Sequence, residues 1–219
     1  CCNKVLTAKS NPTNLGKIVL VNSSGTIYNN TIANFVGVTG MTGSVGAGIH
    51  LISSTANISL NVVSNITKGA GGIGAGIYLT NSPGNNISLN TISDITTTGI
   101  YLHSSNNNIL NGNNIKLSNY GIYLNASSNN NITDTILRTT SVDFSSLASI
   151  SNIVTNMTFN STAWPTTASF VYSGDIQVSS ANAIVDPSGL QNIGKYLNIT
   201  NQSIANVLLN ISYSDSEIR

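Results

Sequence analysis

Charged residues are scarce in this sequence: only 7% of its 219 residues are Asp, Glu, Lys or Arg, against about 25% in an ordinary soluble domain. Eight Lys and Arg nearly balance seven Asp and Glu, which gives a net charge of +1. The sequence therefore lacks the basic surface that nucleic acid or an anionic membrane attracts, and we expect neither as a partner. No apolar run reaches the roughly 18 residues that a membrane span requires, so no membrane span is predicted.

Cysteine is limited to Cys1 and Cys2. A disulfide between adjacent residues is strained, because ordinary bridges join Cα atoms about 4.4–6.8 Å apart. Three interpretations stay open: a disordered terminus left by processing, disulfides between subunits, and lipid attachment at Cys1. Cys1 and Cys2 are therefore candidate inter-subunit disulfide residues.

The sequence also opens without the basic and apolar regions of a signal peptide. Abundant Asn, Ser and Thr replace the missing charges and create twelve Asn-x-Ser/Thr sequons. These sequons favour a signal peptide that has been removed, and a coat of covalent glycans would explain how an almost uncharged surface stays dissolved. We therefore expect an extracellular, cell-surface protein. The candidate N-glycosylation sites are Asn22, Asn29, Asn57, Asn65, Asn86, Asn125, Asn131, Asn156, Asn160, Asn198, Asn201 and Asn210.

A short motif recurs through the first two thirds of the sequence. Gly-Ile-Tyr-Leu begins at Gly76, Gly99 and Gly121, and Gly-Ile-His-Leu begins at Gly48. An Asn-Ile segment follows each copy, and within the segments apolar residues alternate, which is the period of β-strands. Strands this short bury their apolar faces only if each repeat forms one coil stacked on the last, so the pattern predicts a parallel β-helix.

Stacking places equivalent residues of successive coils directly above one another, about 4.8 Å apart. Asparagines at a corner tolerate left-handed backbone angles and hydrogen-bond their own copies, so we expect a corner ladder. The predicted ladder is Asn30, Asn61, Asn90, Asn113 and Asp134. In the strand, Ile100 and Leu102 are expected to point inward and Tyr101 outward, which creates a candidate contact column of Tyr78, Tyr101 and Tyr123.

Two glycine-rich inserts, beginning at Val36 and Thr67, lengthen the first two repeats. Loops that leave one side of consecutive coils lie side by side, where they pack a neighbouring subunit or line a ligand groove. We favour the protein contact, because uncharged glycine-rich loops without aromatic residues grip a small polar ligand poorly.

Beyond the repeat, longer alternating runs separated by turn residues predict a small antiparallel β-sandwich, incomplete and with open edges. The fold class is therefore all-β: a right-handed parallel β-helix of about five coils plus this sandwich. The predicted organisation is an N-terminal cap or contact segment (1–19), the β-helix (20–140), a linker (141–151) and the sandwich-like domain (152–219).

Candidate catalytic and metal residues are not predicted. His50 and His103, the only histidines, fall at different positions of the repeat, and no two carboxylates occupy neighbouring positions. A polysaccharide-cleaving enzyme needs clustered carboxylates for acid–base chemistry or for calcium. We therefore expect no enzyme activity, no metal and no cofactor.

The pattern G-I-Y-L-x-x-S-x-x-N-x-I, clearest from Gly76 to Ile136, resembles the NosD-type right-handed parallel β-helix repeat. Residues 170–215, from "FVYSGDIQV" to "NISYSD", resemble the PGF-pre-PGF region that follows such repeats in surface proteins of archaea, particularly methanogens. This resemblance implies an exported, glycosylated cell-surface protein, typically of an S-layer or sheath. Proteins of that family usually continue beyond "NISYSD" into further strands and a membrane-proximal tail.

The interpretation is a structural subunit of an extracellular surface layer, sheath or filament, whose partners are copies of itself. It associates through β edges, the tyrosine column and the glycine-rich loops. The first alternative is a non-catalytic carbohydrate-binding or adhesion module that uses the tyrosines as platforms. The second is a β-helix polysaccharide lyase or hydrolase.

Overall fold

The computed structural model describes residues 17–37, 45–69, 72–162, 165–182, 195–201, 203 and 205–213. The regular elements in these residues are nineteen β-strands. Fifteen of them coil into three parallel sheets, and the last four extend these sheets with antiparallel strands. The all-β prediction and the parallel β-helix are therefore confirmed.

The first sheet carries the Gly-Ile-Tyr-Leu motifs. Its strands are β1 (Ile18–Val21), β4 (Val45–Ile52), β7 (Ile73–Thr80), the second halves of β9 (Thr91–His103) and β11 (Asn114–Asn125), and β14 (Val142–Leu147).

The other two parallel sheets complete each coil. The second sheet contains β2 (Ser24–Tyr28), β5 (Thr55–Ser59), β8 (Asn86–Ser88), β10 (Ile109–Asn111), β12 (Asn131–Thr133) and the first half of β15 (Ile153–Phe159). The third contains β3 (Thr31–Val36), β6 (Val62–Thr67), the first halves of β9 and β11, β13 (Ile136–Arg138) and the second half of β15.

The interior of the coil is a set of aliphatic stacks. Ile49 pairs in register with Ile77, Ile77 with Ile100, and Ile100 with Ile122. These isoleucines are fully buried, as are the leucines two residues after each of them. Burial of a side chain of this size stabilises the fold by about 1.5–3 kcal/mol. The first five coils repeat the arrangement, and in the sixth Phe144 continues the isoleucine stack while Ser146 takes the leucine position.

The glycine that opens each motif faces this interior. A Cβ atom on Gly76 would lie 2.5 Å from Ile92 Cγ2 and 2.7 Å from the carbonyl oxygen of Gly99. A Cβ atom on Gly48 would lie 2.5 Å from Val63 Cγ1. The glycine is therefore required by the close approach of the strand to the third sheet and to the next coil.

Hydrogen-bonded side chains fill two corners. In the predicted ladder, the Asn61 Nδ2 group donates to Asn90 Oδ1 at 3.0 Å, and Asn90 Nδ2 donates to Asn113 Oδ1 at 3.0 Å. Asn30 donates to Asn61 in the same way. Because these asparagines are mostly buried, the ladder satisfies polar groups that water does not reach.

The fifth position of this ladder belongs to Thr135, so its assignment to Asp134 was wrong by one residue. Asp134 takes the preceding corner position, which has a positive φ in every coil: Asn29 (53°), Leu60 (55°), Leu89 (57°), Gly112 (63°), Asp134 (50°) and Asn156 (51°). The ladder asparagines therefore serve hydrogen bonding, while their predecessors adopt the left-handed backbone that L residues usually avoid.

A second corner was not predicted. Asparagines donate from one coil to the next at 3.0–3.1 Å, and a serine column accepts backbone N–H groups at 2.8–3.1 Å. The Ser and Asn of L-x-x-S-x-x-N were the sequence signal for both. The columns are Asn85, Asn108, Asn130 and Asn152, and Ser54, Ser82, Ser105, Ser127 and Ser149.

The segment 141–151, predicted to be a linker, contains β14 and belongs to the coil. β14 pairs in parallel with β11, and β15 pairs with both β12 and β13. Although the Gly-Ile-Tyr-Leu motif is missing, inward Phe144 and the column residues Ser149 and Asn152 preserve the coil. The stack therefore has six coils and extends beyond residue 140.

The start of the stack also differs from the prediction. β1 forms the first strand of the first coil, although Ile18 was assigned to the N-terminal cap. The remainder of that cap, residues 1–16, lies outside the described residues, as do Cys1 and Cys2.

The C-terminal strands continue the sheets of the coil. β16 (Thr166–Ser173) adds to β15, and β19 (Asn206–Ser212) adds to β16. On the first sheet, β17 (Ile176–Ser180) adds to β14, and β18 (Leu197–Asn201) adds to β17. Phe144 packs edge-on against Phe170 and Tyr172, with ring centroids 5.6 and 5.8 Å apart. The coil and the antiparallel segment therefore share one hydrophobic core.

Candidate functional site

Four aromatic rings form a continuous column on the outer face of the first sheet. His50 stacks on Tyr78 and Tyr78 on Tyr101, each with centroids 4.8 Å apart, and Tyr101 stacks on Tyr123 at 4.9 Å. The spacing equals the distance between coils, so each ring meets the next because its strand pairs in register. Each aromatic pair contributes about 0.5–1.5 kcal/mol beyond its buried area.

The two rings in the middle of this aromatic column are buried. Tyr78 is 5% exposed and Tyr101 is 8% exposed, and both pack in a cluster with Ala47 and Ala75. The expectation that Tyr78 and Tyr101 offer a free contact surface is therefore wrong, because stacking on the neighbouring rings and packing in this cluster bury both side chains. Of the predicted contact residues, Tyr123 is half-exposed.

A cavity of about 330 Å³ opens beside the exposed end of the column. The strands beneath it, β7, β9, β11, β14 and β17, are consecutive neighbours in the sheet. Five strands at about 4.8 Å spacing span roughly 19 Å, so the cavity is a groove along the axis of the coil. Its lining residues are Gly72, Ile73, Thr97, Thr98, Tyr101, Tyr120, Tyr123, Ser145 and Gln177.

The groove combines aromatic faces with neutral polar groups. Tyr120 and Tyr123 are half-exposed and their rings stack with centroids 5.7 Å apart. Thr97 Oγ1 is buried and has no hydrogen-bond partner within the described part of the chain. Sequence reasoning missed Tyr120, Ser145 and Gln177, because it followed one motif position and did not see which neighbouring strands bring further residues to it.

His50 lies at the other end of the aromatic column, where its surroundings change the pKa of its imidazole. Burial, and to a smaller extent the nearby Lys17 cation, lower the pKa of His50 to about 4. Its ring stacks on Tyr78, and Nε2 lies 3.3 Å from Thr80 Oγ1. The folded protein therefore holds this imidazole neutral at a pH where an exposed histidine takes up a proton.

Stability should consequently depend on pH through His50. Below pH 6.5 the imidazole of His50 binds a proton in the unfolded chain, whereas in the folded chain it stays neutral down to about pH 4. The free energy of unfolding therefore has its full value above pH 6.5 and falls as the pH decreases from 6.5 to about 4. We expect the thermal midpoint to drop by several degrees more in the wild type than in His50→Tyr, which extends the tyrosine column. Melting curves at pH 7 and pH 4.5 test this; equal drops in both proteins would contradict it.

The sequon asparagines face outward in the described structure. Ten are exposed, and Asn125 and Asn160 are half-buried. The reason is strand geometry: in Asn57-Ile58-Ser59, for example, Ile58 points into the core, so its two neighbours point to the outer face.

The acidic residues that the structure describes lie on separate elements. Asp94 is in β9, Asp134 precedes β13, Asp143 is in β14 and Asp175 lies between β16 and β17. In the residues that the structure describes, no three His, Cys, Asp or Glu side chains are grouped closely enough to hold a metal ion. No helix in this part of the chain has the length and apolar character needed to cross a membrane.

Comparison with protein families matches residues 16–188 to the model described as "right handed beta helix region". This match covers most of the sequence and agrees with the observed coil. The chain belongs to the right-handed β-helix family.

Surface proteins and polysaccharide-active enzymes share this β-helix fold. A mutant of the periplasmic alginate epimerase AlgG is among the similar solved structures, with 21% sequence identity and a TM-score of 0.39. The match covers 59% of this β-helix chain and 38% of the epimerase chain. Comparison with curated proteins gives no match.

Proposed function

We propose that this β-helix protein is a non-enzymatic structural subunit, which associates with copies of itself in an extracellular layer, sheath or filament. The observation that carries the proposal is the pair of edge strands β18 and β19 at one end of the stack. Within the described residues, β18 pairs only with β17 and β19 only with β16.

These edges lack the usual protection against pairing. Charged residues and proline commonly block exposed edge strands, yet β18 (LNITN) and β19 (NVLLNIS) contain neither. The inward residues Val207, Leu209 and Ile211 are only half-buried, and Leu208 on the outer face is 75% exposed. A strand or sheet face from another copy would cover these groups.

The outer face strengthens this choice of contact surface. Leu208 pairs in register with Val171, and Val171 pairs with Ile153, so three exposed apolar side chains lie in a row. The buried tyrosines of the aromatic column offer no comparable surface, which moves the proposed contact from the column to the sheet edges. The outward sequons support the extracellular location as a part of this proposal.

Sedimentation velocity and negative-stain electron microscopy of the purified chain test the assembly. We expect concentration-dependent oligomers or polymers, and at least tenfold weaker association for Leu208→Lys, because a charged side chain on an edge strand opposes strand addition. Ile109→Lys is the matched control, since Ile109 is an exposed apolar residue on a middle coil of the same face. A wild-type chain that stays monomeric at high concentration would refute the proposal.

A further inference from the structure

The groove on the first sheet exists because two columns of side chains change size. The position that holds His50, Tyr78, Tyr101 and Tyr123 is occupied in the next coil by Ser145, which pairs in register with Tyr123 and with Gln177 of β17. A second column lies three residues earlier in each strand. In it Ala75 and Thr98 are small, whereas the next residue in register is the large Tyr120. The result is an open groove with a half-exposed aromatic pair at its centre.

The groups in this groove suit a ligand with an apolar face and a polar rim. Tyr120 and Tyr123 present ring faces, and Asn125 Nδ2 donates to Tyr101 Oη at 3.3 Å, which fixes the neighbouring ring. Thr97 contributes a hydroxyl without a partner in the described residues, and Gln177 contributes an amide with both a donor and an acceptor. Pockets of this volume, lined by aromatic residues and a few polar groups, are typical ligand sites.

The charge of the groove lining determines which of these ligands fit. None of the described residues that line the groove is charged. Burial raises the pKa of Tyr123, and the nearby Tyr101, Tyr120 and Asp175 raise it further, so the local potential does not favour anions. Acidic polysaccharides would therefore find neither a cation nor a favourable field here.

We propose that the groove lined by Tyr120, Tyr123, Thr97 and Gln177 binds a neutral oligosaccharide. A sugar ring places its C–H face on the tyrosine rings and its hydroxyls against Thr97 Oγ1 and the Gln177 amide. The roughly 19 Å length of the groove accommodates a chain of sugars along the axis of the coil. This binding does not depend on self-association through β18 and β19.

A peptide fits the same surface less well. Extended peptides usually bind by adding a strand to an open sheet edge. Each strand beneath the groove, from β7 to β17, already has a partner on both sides. The backbone there offers no free ladder, so recognition must come from side chains.

Affinity electrophoresis tests the proposal with the Leu208→Lys chain, in which self-association is weakened. Gels contain a neutral glucan, a neutral mannan, or alginate as the acidic comparison. We expect retardation by a neutral polysaccharide and not by alginate. Binding should weaken at least tenfold in Tyr123→Ala and severalfold in Gln177→Ala. Tyr28→Ala is the control, because Tyr28 is an exposed tyrosine on the second sheet and should leave binding unchanged.

A variant with a larger side chain in the groove distinguishes a blocked groove from loss of binding caused by unfolding. Ser145→Tyr adds the next ring to the column and fills the groove, so it should abolish binding while the melting temperature stays near that of the parent chain. Failure of both neutral polysaccharides to retard the protein would overturn the proposal. So would equal retardation of the parent chain, Tyr123→Ala and Ser145→Tyr, or binding of an aromatic peptide in the groove with no sugar binding.

Discussion

Replacing Asp143 with alanine is expected to lower the free energy of unfolding by about 3–5 kcal/mol, because the change removes a buried carboxylate that accepts four hydrogen bonds. Asp143 is 1% exposed. Its Oδ1 atom accepts from Thr139 Oγ1 at 2.9 Å and Ser161 Oγ at 2.7 Å. Its Oδ2 atom accepts from the backbone N–H of Ser180 at 2.6 Å and from Ser180 Oγ at 2.7 Å.

These four bonds join the last coil to the antiparallel segment. Thr139 follows β13, Ser161 follows β15 and Ser180 ends β17, so one carboxylate connects three elements. Loss of the acceptor leaves these donors facing one another without a partner in the buried site. We therefore expect β17 to exchange its amide hydrogens faster in the variant, as the coil and the antiparallel segment separate more readily.

Urea unfolding of Asp143→Ala, Asp143→Asn and Asp94→Asn provides the comparison. Asp143→Asn should cost about 2–3 kcal/mol, since its amide nitrogen directs donors toward other donors. Asp94→Asn should stay within about 0.5 kcal/mol of the wild type. Asp94 is exposed and has a φ of 56°, a conformation that asparagine tolerates. Equal stabilities of the two Asn variants would refute the assigned role of Asp143.

Replacing Gly76 with alanine should destabilise the coil by about 3 kcal/mol. The new methyl group would meet Ile92 Cγ2 at 2.5 Å and the Gly99 carbonyl oxygen at 2.7 Å. Ile92 is fully buried and has no room to retreat, and the carbonyl oxygen belongs to the backbone of the next coil. The strain is therefore relieved only by separating strands β7 and β9.

Gly84→Ala is the control for this substitution. No atom lies within 4 Å of a Cβ built on Gly84, but its φ is +71°. The expected cost is therefore the left-handed backbone penalty alone, about 1–2 kcal/mol. Chemical denaturation of the two variants measures both costs; a Gly76→Ala protein as stable as Gly84→Ala would show that the coils yield more easily than the contacts indicate.

Repetition made much of the coil predictable. The recurrence of Gly-Ile-Tyr-Leu gave the strand period and the inward positions, and the structure has Ile77, Ile100 and Ile122 in one buried stack. Asn30, Asn61, Asn90 and Asn113 could likewise be aligned from sequence, because each precedes the same strand. The alignment failed at Asp134 and after residue 140, where the repeat weakens. The strands there keep their place in the coil by pairing with β11 of the preceding coil and not through the motif.

The candidate groove was less predictable than the coil. Tyr101 and Tyr123 were identified from the motif, but Tyr120 required the bulge in pairing between Ser118 and Tyr120 to be known. Gln177 reaches the site through β17, which turns back antiparallel to β14. Such a pairing depends on contacts distant in sequence, and no periodic signal records it.

The sequence by itself determined the all-β class, the β-helix, the inward aliphatic stacks and most of the asparagine ladder. Each of these depends on local alternation and on repetition, which a single chain records directly. Only the tertiary structure decided that Tyr78 and Tyr101 are buried, that Asp143 is buried at a junction, and that β18 and β19 are the outermost strands among the described residues. These properties depend on which distant strands become neighbours, and that choice is made by packing of the whole core.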